Sequence, residues 1–188
     1  MRKILMILSL ATFAACSTNK TDETKTDTMK SASADSTKRD TLSYPYTAQY
    51  SNKFEIGDPN NSMNVLKLYK DWDNNTIDNS KNAFADSIQM VFSDGSALSG
   101  SRDSVFNVVK KMRSTLGTIT SDLVAWTPLR STDKNEDWVS VWYTEHRTAP
   151  NGKVDSSYYQ ETWRLTNGKV DRFYQYEQKV PGRKNKIF

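Results

Sequence analysis

Residues 154–177 read VDSSYYQETWRLTNGKVDRFYQYE, and this stretch decides the fold. Two segments rich in aromatic and β-branched residues, Val154 to Leu165 and Val170 to Glu177, flank the dipeptide Asn167-Gly168. Asn-Gly between two such segments is typical of a two-residue turn that joins antiparallel strands. The sequence therefore predicts a β-hairpin here.

Two more strands are predicted immediately upstream of this hairpin. One runs from Ile119 to Arg130, interrupted at Pro128, and the next runs from Asp137 to Arg147 and is rich in Trp, Val and Tyr. Asn151-Gly152 supplies a turn of the same kind before the hairpin. Consecutive strands joined in this way predict an antiparallel meander of four strands.

Helical patterns precede the meander, with one short hairpin between them. After the start signal Asp58-Pro59, apolar residues recur at i, i+3, i+4 and i+7 and form one stripe, which consists of Val65, Leu68, Tyr69 and Trp72. Residues 87–92 then alternate in polarity and reach the turn dipeptide Asp94-Gly95, which predicts a half-buried strand and a return strand that leads to Gly100.

A second helix is predicted to begin at Ser101 and to end at Gly117. We expect its buried stripe to consist of Val105, Val108, Val109 and Met112. Helices that precede a run of strands indicate an α+β fold. The helices should pack on one face of a curved sheet of four to six strands.

Several of these pieces, in this order, resemble the nuclear-transport-factor-2-like superfamily, which includes SnoaL-like polyketide cyclases and ketosteroid isomerases. The matching pieces span roughly residues 60 to 178. The first pieces are the helix Val65 to Trp72, then Phe84-Ala85-Asp86 followed by Ile88 to Phe92, and the turn Asp94-Gly95. Gly100 follows, just before the helix that holds Val105, Phe106 and Val109, and the last piece is Thr162 to Val170. The last piece is similar to the W-R-x-x-x-G-K-[IV] hairpin of the family.

The resemblance implies a cone-shaped, cystatin-like fold, in which a curved antiparallel sheet wraps the N-terminal helices and leaves an apolar pocket. It also implies a homodimer through the sheet. Ketosteroid isomerases take their base from the first hairpin and a tyrosine from the first helix. Here the base position falls at Phe92, which cannot accept a proton, and the tyrosine position falls at Leu68, one residue before Tyr69. The isomerase chemistry is therefore not expected in this chain.

The N-terminus is typical of a bacterial lipoprotein signal. Two basic residues, an apolar run from Ile4 to Phe13 and two alanines precede Cys16, as in a lipobox, although Phe13 stands where an aliphatic residue is more usual. The run is about ten residues, short of the ~20 that a membrane span needs. We expect residues 1–15 to be a signal peptide and Cys16 to carry lipid. An ordinary secretory signal with a chance cysteine is the alternative.

Residues 16–41 are predicted to be a disordered tether, because they are polar and cannot bury enough apolar surface to offset their ordering entropy. The composition changes near Leu42, so the folded domain is expected to cover residues 42–180, with a basic tail at 181–188. The expected location is the bacterial cell envelope, and the outer membrane is favoured over the inner one.

Charge and rare residue types exclude several kinds of function. Without Arg2 and Lys3 the chain has 24 basic against 22 acidic residues, mixed along its length, which argues against nucleic-acid binding. A single cysteine and a single histidine, His146, exclude an intramolecular disulfide and multi-ligand Cys or His metal sites. Residues 71–75 come nearest to a calcium loop but lack its glycine. No metal or cofactor is expected, although binding of Ca²⁺ or Mg²⁺ by carboxylates alone remains open.

A ligand pocket, if present, is expected to be lined by large side chains of the first helix, the first hairpin and the concave sheet face. The candidates are Tyr69, Trp72, Phe92, Trp126, Trp142 and Trp163. Ligand pockets are typically apolar and aromatic with a few polar groups. Ordinary packing in the core or in a dimer interface is the alternative for each of them.

Two carboxylates are candidates for a general base. Asp94 lies in the Asp-Gly turn, where solvent is the expected environment. Glu161 shares a strand face with Trp163, so burial of that face would raise its pKa, although an ion pair with Arg172 is the alternative. His146 is expected on the surface, without a serine in a triad-like arrangement.

These patterns together predict an envelope lipoprotein whose domain binds a small apolar ligand or a protein partner. The alternative is a SnoaL-like enzyme of the isomerase, cyclase or hydrolase type that uses a pocket carboxylate as its base. A purely structural protein is a third hypothesis.

Overall fold

The computed structural model describes residues 43–179. The chain divides into two units, Met1–Pro45 and Tyr46–Phe188, and the fold concerns the second. The predicted signal peptide, Cys16, the tether and the basic tail lie outside the described residues. Among residues 43–179, no helix is long and apolar enough to cross a membrane.

The described residues form seven strands, two α-helices and one 3₁₀ helix, Ile77–Ala83. The α-helices are α1 (Pro59–Asp73) and α2 (Arg102–Ser114). The strands are β1 (Phe54–Ile56), β2 (Phe84–Val91), β3 (Ala97–Ser101), β4 (Thr118–Ser131), β5 (Glu136–Thr148), β6 (Val154–Thr166) and β7 (Lys169–Lys179). The α+β class is confirmed.

All seven strands belong to one curved sheet in the order β1-β4-β5-β6-β7-β2-β3. The predicted antiparallel meander is confirmed in β4 to β7. The sheet is mixed because β2 pairs in parallel with β7, whereas a curved antiparallel sheet was predicted. Parallel neighbours need a long crossover connection, and turn signals between adjacent strands do not reveal such a pairing.

Two elements were not predicted, β1 and the 3₁₀ helix. β1 has only three residues and pairs with Leu129–Ser131 of β4, beyond Pro128. A three-residue segment is too short to show a strand periodicity. β1 is the seventh strand, one more than the upper limit of the expected four to six.

The first helix forms as its sequence predicts. Asp58 caps its N-terminus by accepting a hydrogen bond from the backbone N–H of Asn60 at 2.8 Å, and Pro59 occupies the first turn. Val65, Leu68 and Tyr69 are buried on the face that packs against the sheet.

The second helix presents most of the predicted face, since Val105 is buried and Val109 packs against the core. Val105 and Phe106 are buried, whereas Val108 is 50% exposed and Met112 is 39% exposed. The buried face extends to Arg113, which is buried as well. This guanidinium donates to three backbone carbonyl oxygens, those of Trp72 at 2.7 Å, Gly117 at 2.9 Å and Asp73 at 3.1 Å. Arg113 thus binds the C-terminal carbonyls of α1, which a helix end leaves without partners.

Both α-helices contribute to one buried cluster with the sheet. Tyr69 of α1 lies edge-on to Tyr143 of β5, with ring centroids 4.9 Å apart, and Phe106 of α2 lies edge-on to Phe84 of β2 at 5.0 Å. The two helices therefore cover the same face of the sheet, and the space between them and the sheet holds the candidate site.

Candidate ligand-binding cavity

A cavity of about 200 Å³ lies between the helices and the sheet. Its apolar and aromatic lining comes from both α-helices, the 3₁₀ helix and four strands, and consists of Leu68, Tyr69, Trp72, Ile77, Phe84, Met90, Phe92, Phe106, Val109, Met112, Leu116, Tyr143, Trp163 and Phe173. The polar lining consists of Ser80, Glu145, Arg147, Glu161 and Gln175. A largely apolar wall with a few convergent polar groups is the usual composition of a small-molecule site.

Four of the six predicted lining residues border this cavity, namely Tyr69, Trp72, Phe92 and Trp163. The prediction is wrong for Trp126 and Trp142, which lie outside the lining and are 50% and 37% exposed.

The two misplaced tryptophans have separate physical explanations. Val141 and Tyr143 are buried, so the alternation of side chains along β5 directs Trp142 to the opposite face. In β4 the register shifts between Leu123 and Ala125, so an alternation counted along the sequence fails before Trp126 is reached.

Glu161 is the central polar residue of the cavity wall, and it is only 3% exposed. The Tyr143 hydroxyl donates to its Oε1 at 2.8 Å, and the Gln175 side-chain amide donates to the same oxygen at 2.9 Å. The Tyr69 hydroxyl donates to Oε2 and accepts from Trp163 Nε1 at 3.0 Å. The carboxyl group is therefore held by three donors from three different elements.

Burial raises the pKa of Glu161 to about 7, because a low-dielectric environment disfavours the charged form. The three donors oppose this effect, and the nearby carboxylate of Glu145 adds to it. A pKa near 7 is one that a general base at neutral pH requires. Desolvation also raises the pKa of Tyr69 and Tyr143 well above the ordinary tyrosine value, so both hydroxyls remain protonated donors.

Arg172 is not the partner of Glu161. In the β6–β7 register, Glu161 lies opposite Gln175, while Arg172 lies opposite Arg164. Side chains that face each other across an antiparallel pair lie on the same side of the sheet. The partner of Glu161 across the sheet is therefore the amide of Gln175 and not an arginine.

A second carboxylate, Glu145, also lines the cavity and was not predicted. It is 3% exposed, accepts from Trp72 Nε1 at 2.9 Å and forms an ion pair with Arg147. Arg147 also donates to the Tyr159 hydroxyl at 3.0 Å. The period-two alternation through Val139, Val141, Tyr143 and Glu145 is the sequence signal that could have identified this residue.

Asp94 does not reach the cavity. Its carboxylate lies in the exposed β2–β3 turn and accepts from the backbone N–H of Ser96 at 2.9 Å. Hydrogen bonds from Ser96 lower its pKa, which is the opposite of what a general base at neutral pH needs. Of the two candidate bases, only Glu161 borders the cavity.

His146 lies between the side chains of Ser156 and Asp122. Its Nδ1 is 2.7 Å from Ser156 Oγ, and its Nε2 is 3.1 Å from Asp122 Oδ2. The expectation that no serine accompanies this histidine in a triad-like arrangement is therefore wrong. The side chains of His146 and Asp122 are 43% and 71% exposed, and none of the three residues lines the cavity. A triad functions beside a substrate site with an oxyanion hole, so this surface cluster does not support hydrolysis.

The carboxylates of Asp71 and Asp73, in the segment that comes nearest to a calcium loop, bind different partners and do not form a common metal site. Asp71 accepts from Thr76 Oγ1 at 2.9 Å and from Ser80, both beyond the end of α1. Asp73 accepts from the backbone and the side chain of Ser121. Within residues 43–179, no cluster of three or more potential metal ligands is present.

Solved structures of other proteins share this architecture. An NTF2-like protein of unknown function from Burkholderia pseudomallei superposes with a TM-score of 0.53 at 17% identity, covering 63% of this chain and 91% of its own. The fold is NTF2-like. The finding confirms the architecture that the resemblance to the nuclear-transport-factor-2-like superfamily implied.

Two further structures with a similar architecture have names that refer to catalysis. SalBIII, an epoxide hydrolase/cyclase-like enzyme of pyran ring formation in the polyether salinomycin, has a TM-score of 0.54 at 14% identity, covering 64% of this chain and 92% of its own. A putative polyketide cyclase from Xanthomonas campestris has a TM-score of 0.50 at 14% identity, covering 63% and 90%. No family model and no curated protein matches the sequence. At these identities the likeness concerns the fold alone, and function has to be argued from the site.

Proposed function

We propose that this domain binds a small, largely apolar molecule in the cavity between its helices and its sheet. The observation that carries the proposal is the aromatic cavity of about 200 Å³ with two buried carboxylates in its wall. An apolar cavity of about 150 Å³ is enough for benzene, so the ligand would be somewhat larger than a single ring.

We further propose that the domain is a lipoprotein of the cell envelope, anchored through Cys16, preferably in the outer membrane. The support is the sequence pattern alone: a basic start, an apolar run and small residues directly before the cysteine of the chain. Mass spectrometry of the protein from membranes would test it, because diacylglyceryl modification at Cys16 adds a defined mass that Cys16→Ser must abolish.

Ethylbenzene is a suitable probe for the cavity, since it carries no polar group. Bound ligand should change the tryptophan fluorescence, because Trp72 and Trp163 border the cavity. It should also stabilise the fold by mass action, by about 2.7 kcal/mol at a concentration of 100 times the Kd.

Two neighbouring valines of α2 provide a matched pair of variants. Val109 lines the cavity and Val108 is exposed, so Val109→Phe should fill the cavity and abolish ethylbenzene binding, while Val108→Phe should leave binding unchanged. Equal binding by both variants would place the ligand elsewhere, and no binding by the unmodified protein would refute the proposal.

Catalysis is the second candidate function, and one observation favours it: Glu161 is a buried carboxyl group in the cavity wall with a pKa of about 7. Such a group could take a proton from a carbon next to a carbonyl group. Deuterium exchange into the methyl group of acetophenone, followed by NMR, would test this role. The protein should accelerate the exchange, and Glu161→Gln should remove the acceleration.

A further inference from the structure

The charges in the cavity wall are not balanced. Three charged side chains line the cavity, Glu145, Arg147 and Glu161. Arg147 forms an ion pair with Glu145, so these two charges compensate each other. Within residues 43–179, Glu161 takes part in no ion pair. A buried carboxylate without a cation is costly, and a positive charge at this place would stabilise it.

Most hydrogen-bond donors of the wall already have acceptors within the protein. The hydroxyls of Tyr69 and Tyr143 and the amide of Gln175 donate to Glu161. Trp72 Nε1 and Arg147 Nε donate to Glu145. Trp163 Nε1, Arg147 Nη2 and Ser80 Oγ also have acceptors. What Glu161 offers to a ligand is acceptor oxygen. Glu161 Oε2 receives one protein donor where a carboxylate oxygen can accept two hydrogen bonds.

Aromatic rings surround this acceptor. Tyr69 lies edge-on to Trp163 with centroids 5.9 Å apart, and Phe84 lies edge-on to the same indole at 6.4 Å. The faces of such rings attract cations, most strongly when water is excluded. The same wall would repel a carboxylate or phosphate, because it presents two carboxylates and no unpaired cation.

We propose that the ligand of this cavity is an apolar organic amine, bound in its protonated form with its nitrogen at Glu161 and its apolar body among the aromatic rings. This proposal rests on the small-molecule function above and specifies its chemical class. Binding would supply the countercharge that the wall lacks. An amine of ordinary basicity, near a pKa of about 10, is charged throughout the neutral range.

The amine should bind more weakly as the pH falls. The ionised form of Glu161 is the partner, and its fraction falls below pH 7. The other titratable residues of the lining are Tyr69 on α1 and Tyr143, Glu145 and Arg147 on β5. The lining residues from β2, α2, β7 and the 3₁₀ helix have no titratable side chain. The two tyrosines remain neutral and Arg147 remains charged, because their pKa values are raised. Between pH 8 and pH 5 the affinity for an amine should fall by up to about 100-fold.

Four probes of similar shape test the proposal by isothermal titration of the full protein: ethylbenzene, 2-phenylethanol, 2-phenylethylamine and phenylacetate. At pH 8 the amine should bind about tenfold or more tightly than the alcohol, because an ion pair in a desolvated site is worth at least 1.4 kcal/mol. Phenylacetate should bind most weakly of the four. Glu161→Gln should lose the preference for the amine over the alcohol, and its affinity for the amine should no longer depend on pH.

Several outcomes would overturn the proposal. Phenylacetate that binds as tightly as the amine would show that the wall does not select for positive charge. An amine affinity that is unchanged between pH 8 and pH 5 in the unmodified protein would exclude Glu161 as the partner, even if Glu161→Gln failed to fold. Binding of ethylbenzene without a preference for the amine would refute the amine proposal and leave the small-molecule function intact. Failure of all four probes would refute both.

Discussion

Glu161 should make the folded protein less stable as the pH rises from 4.5 to 7. Its pKa is raised from the ordinary value of 4.5 to about 7, so the folded state keeps a proton that the unfolded chain releases in this range. Stability then decreases with pH, because the unfolded state binds fewer protons than the folded state. The raised pKa favours folding fully below pH 4.5, and the advantage is lost by pH 7.

The size of the effect follows from the shift. Each pKa unit corresponds to 1.36 kcal/mol, so a rise from 4.5 to about 7 predicts a loss of about 3 kcal/mol across this pH range. Glutamine has nearly the same shape and does not ionise. The Glu161→Gln variant should therefore gain about 3 kcal/mol relative to the unmodified protein between pH 4 and pH 8.

Urea denaturation followed by tryptophan fluorescence measures this difference. Both proteins are unfolded at a series of pH values, and the difference between their free energies of unfolding removes the contributions of all other titrating groups. The glutamine amide also makes different hydrogen bonds from the carboxyl group. This changes the free energy of unfolding by a constant amount that does not depend on pH. A difference that stays constant from pH 4 to pH 8 would show that Glu161 titrates alike in both states. That result would refute the burial argument and the role as a base that depends on it.

Two further predictions concern single contacts. Tyr69→Phe removes a hydroxyl that donates to Glu161 and accepts from Trp163, so the free energy of unfolding should fall by about 1–3 kcal/mol. The pKa of Glu161 should rise further in this variant, and carboxyl-carbon NMR titration that shows no rise would contradict the assignment. Gly117→Ala should cost more than about 3 kcal/mol, because φ is +73° and the new Cβ would lie 2.2 Å from the carbonyl oxygen of Thr148. Gly152→Ala, at φ +79° with no atom within 4 Å, should cost only about 1 kcal/mol, and equal losses in the two urea-unfolding experiments would contradict this reasoning.

The local elements of the fold follow from local sequence signals. The turns Asn151-Gly152 and Asn167-Gly168 determine two hairpins of the meander, because Gly152, Asn167 and Gly168 adopt the positive φ that such turns require. Pairings between distant segments carry no comparable signal. The parallel neighbours β2 and β7 are separated in sequence by β3, α2 and the strands β4 to β6, so their contact depends on how completed elements pack.

The second helix shows how a tertiary contact overrides a helical pattern. Its apolar residues predicted a stripe that includes Val108, but this residue is exposed. The helix instead buries Arg113, whose guanidinium binds the carbonyl oxygens at the end of α1. Desolvation lowers the pKa of Arg113, so burial is costly for this residue. A sequence pattern scores an arginine as a surface residue and cannot anticipate that three backbone carbonyls compensate for its burial.

The residues of the cavity wall could be predicted from the sequence where side chains alternate regularly between the two faces of a strand. Glu161 was identified because it alternates with Trp163 on β6, and the same rule applied to β5 gives Glu145 and excludes Trp142. Trp126 lies beyond a register shift, which only the paired strand reveals. The partners of Glu161 come from α1, β5 and β7, and their convergence depends on the curvature of the sheet rather than on any spacing in the sequence.

The two carboxylates of the cavity wall differ in whether a cation of the protein compensates their charge. Both are 3% exposed, so desolvation acts on each, but Glu145 has Arg147 beside it whereas Glu161 has only neutral donors. A carboxylate that served only to hold the fold together would be more stable with a cation, or as an apolar residue of similar size. Packing alone therefore does not account for Glu161. A wall that keeps one carboxyl group hydrogen-bonded but uncompensated, beside an open volume, fits a partner that brings its own positive charge or its own proton.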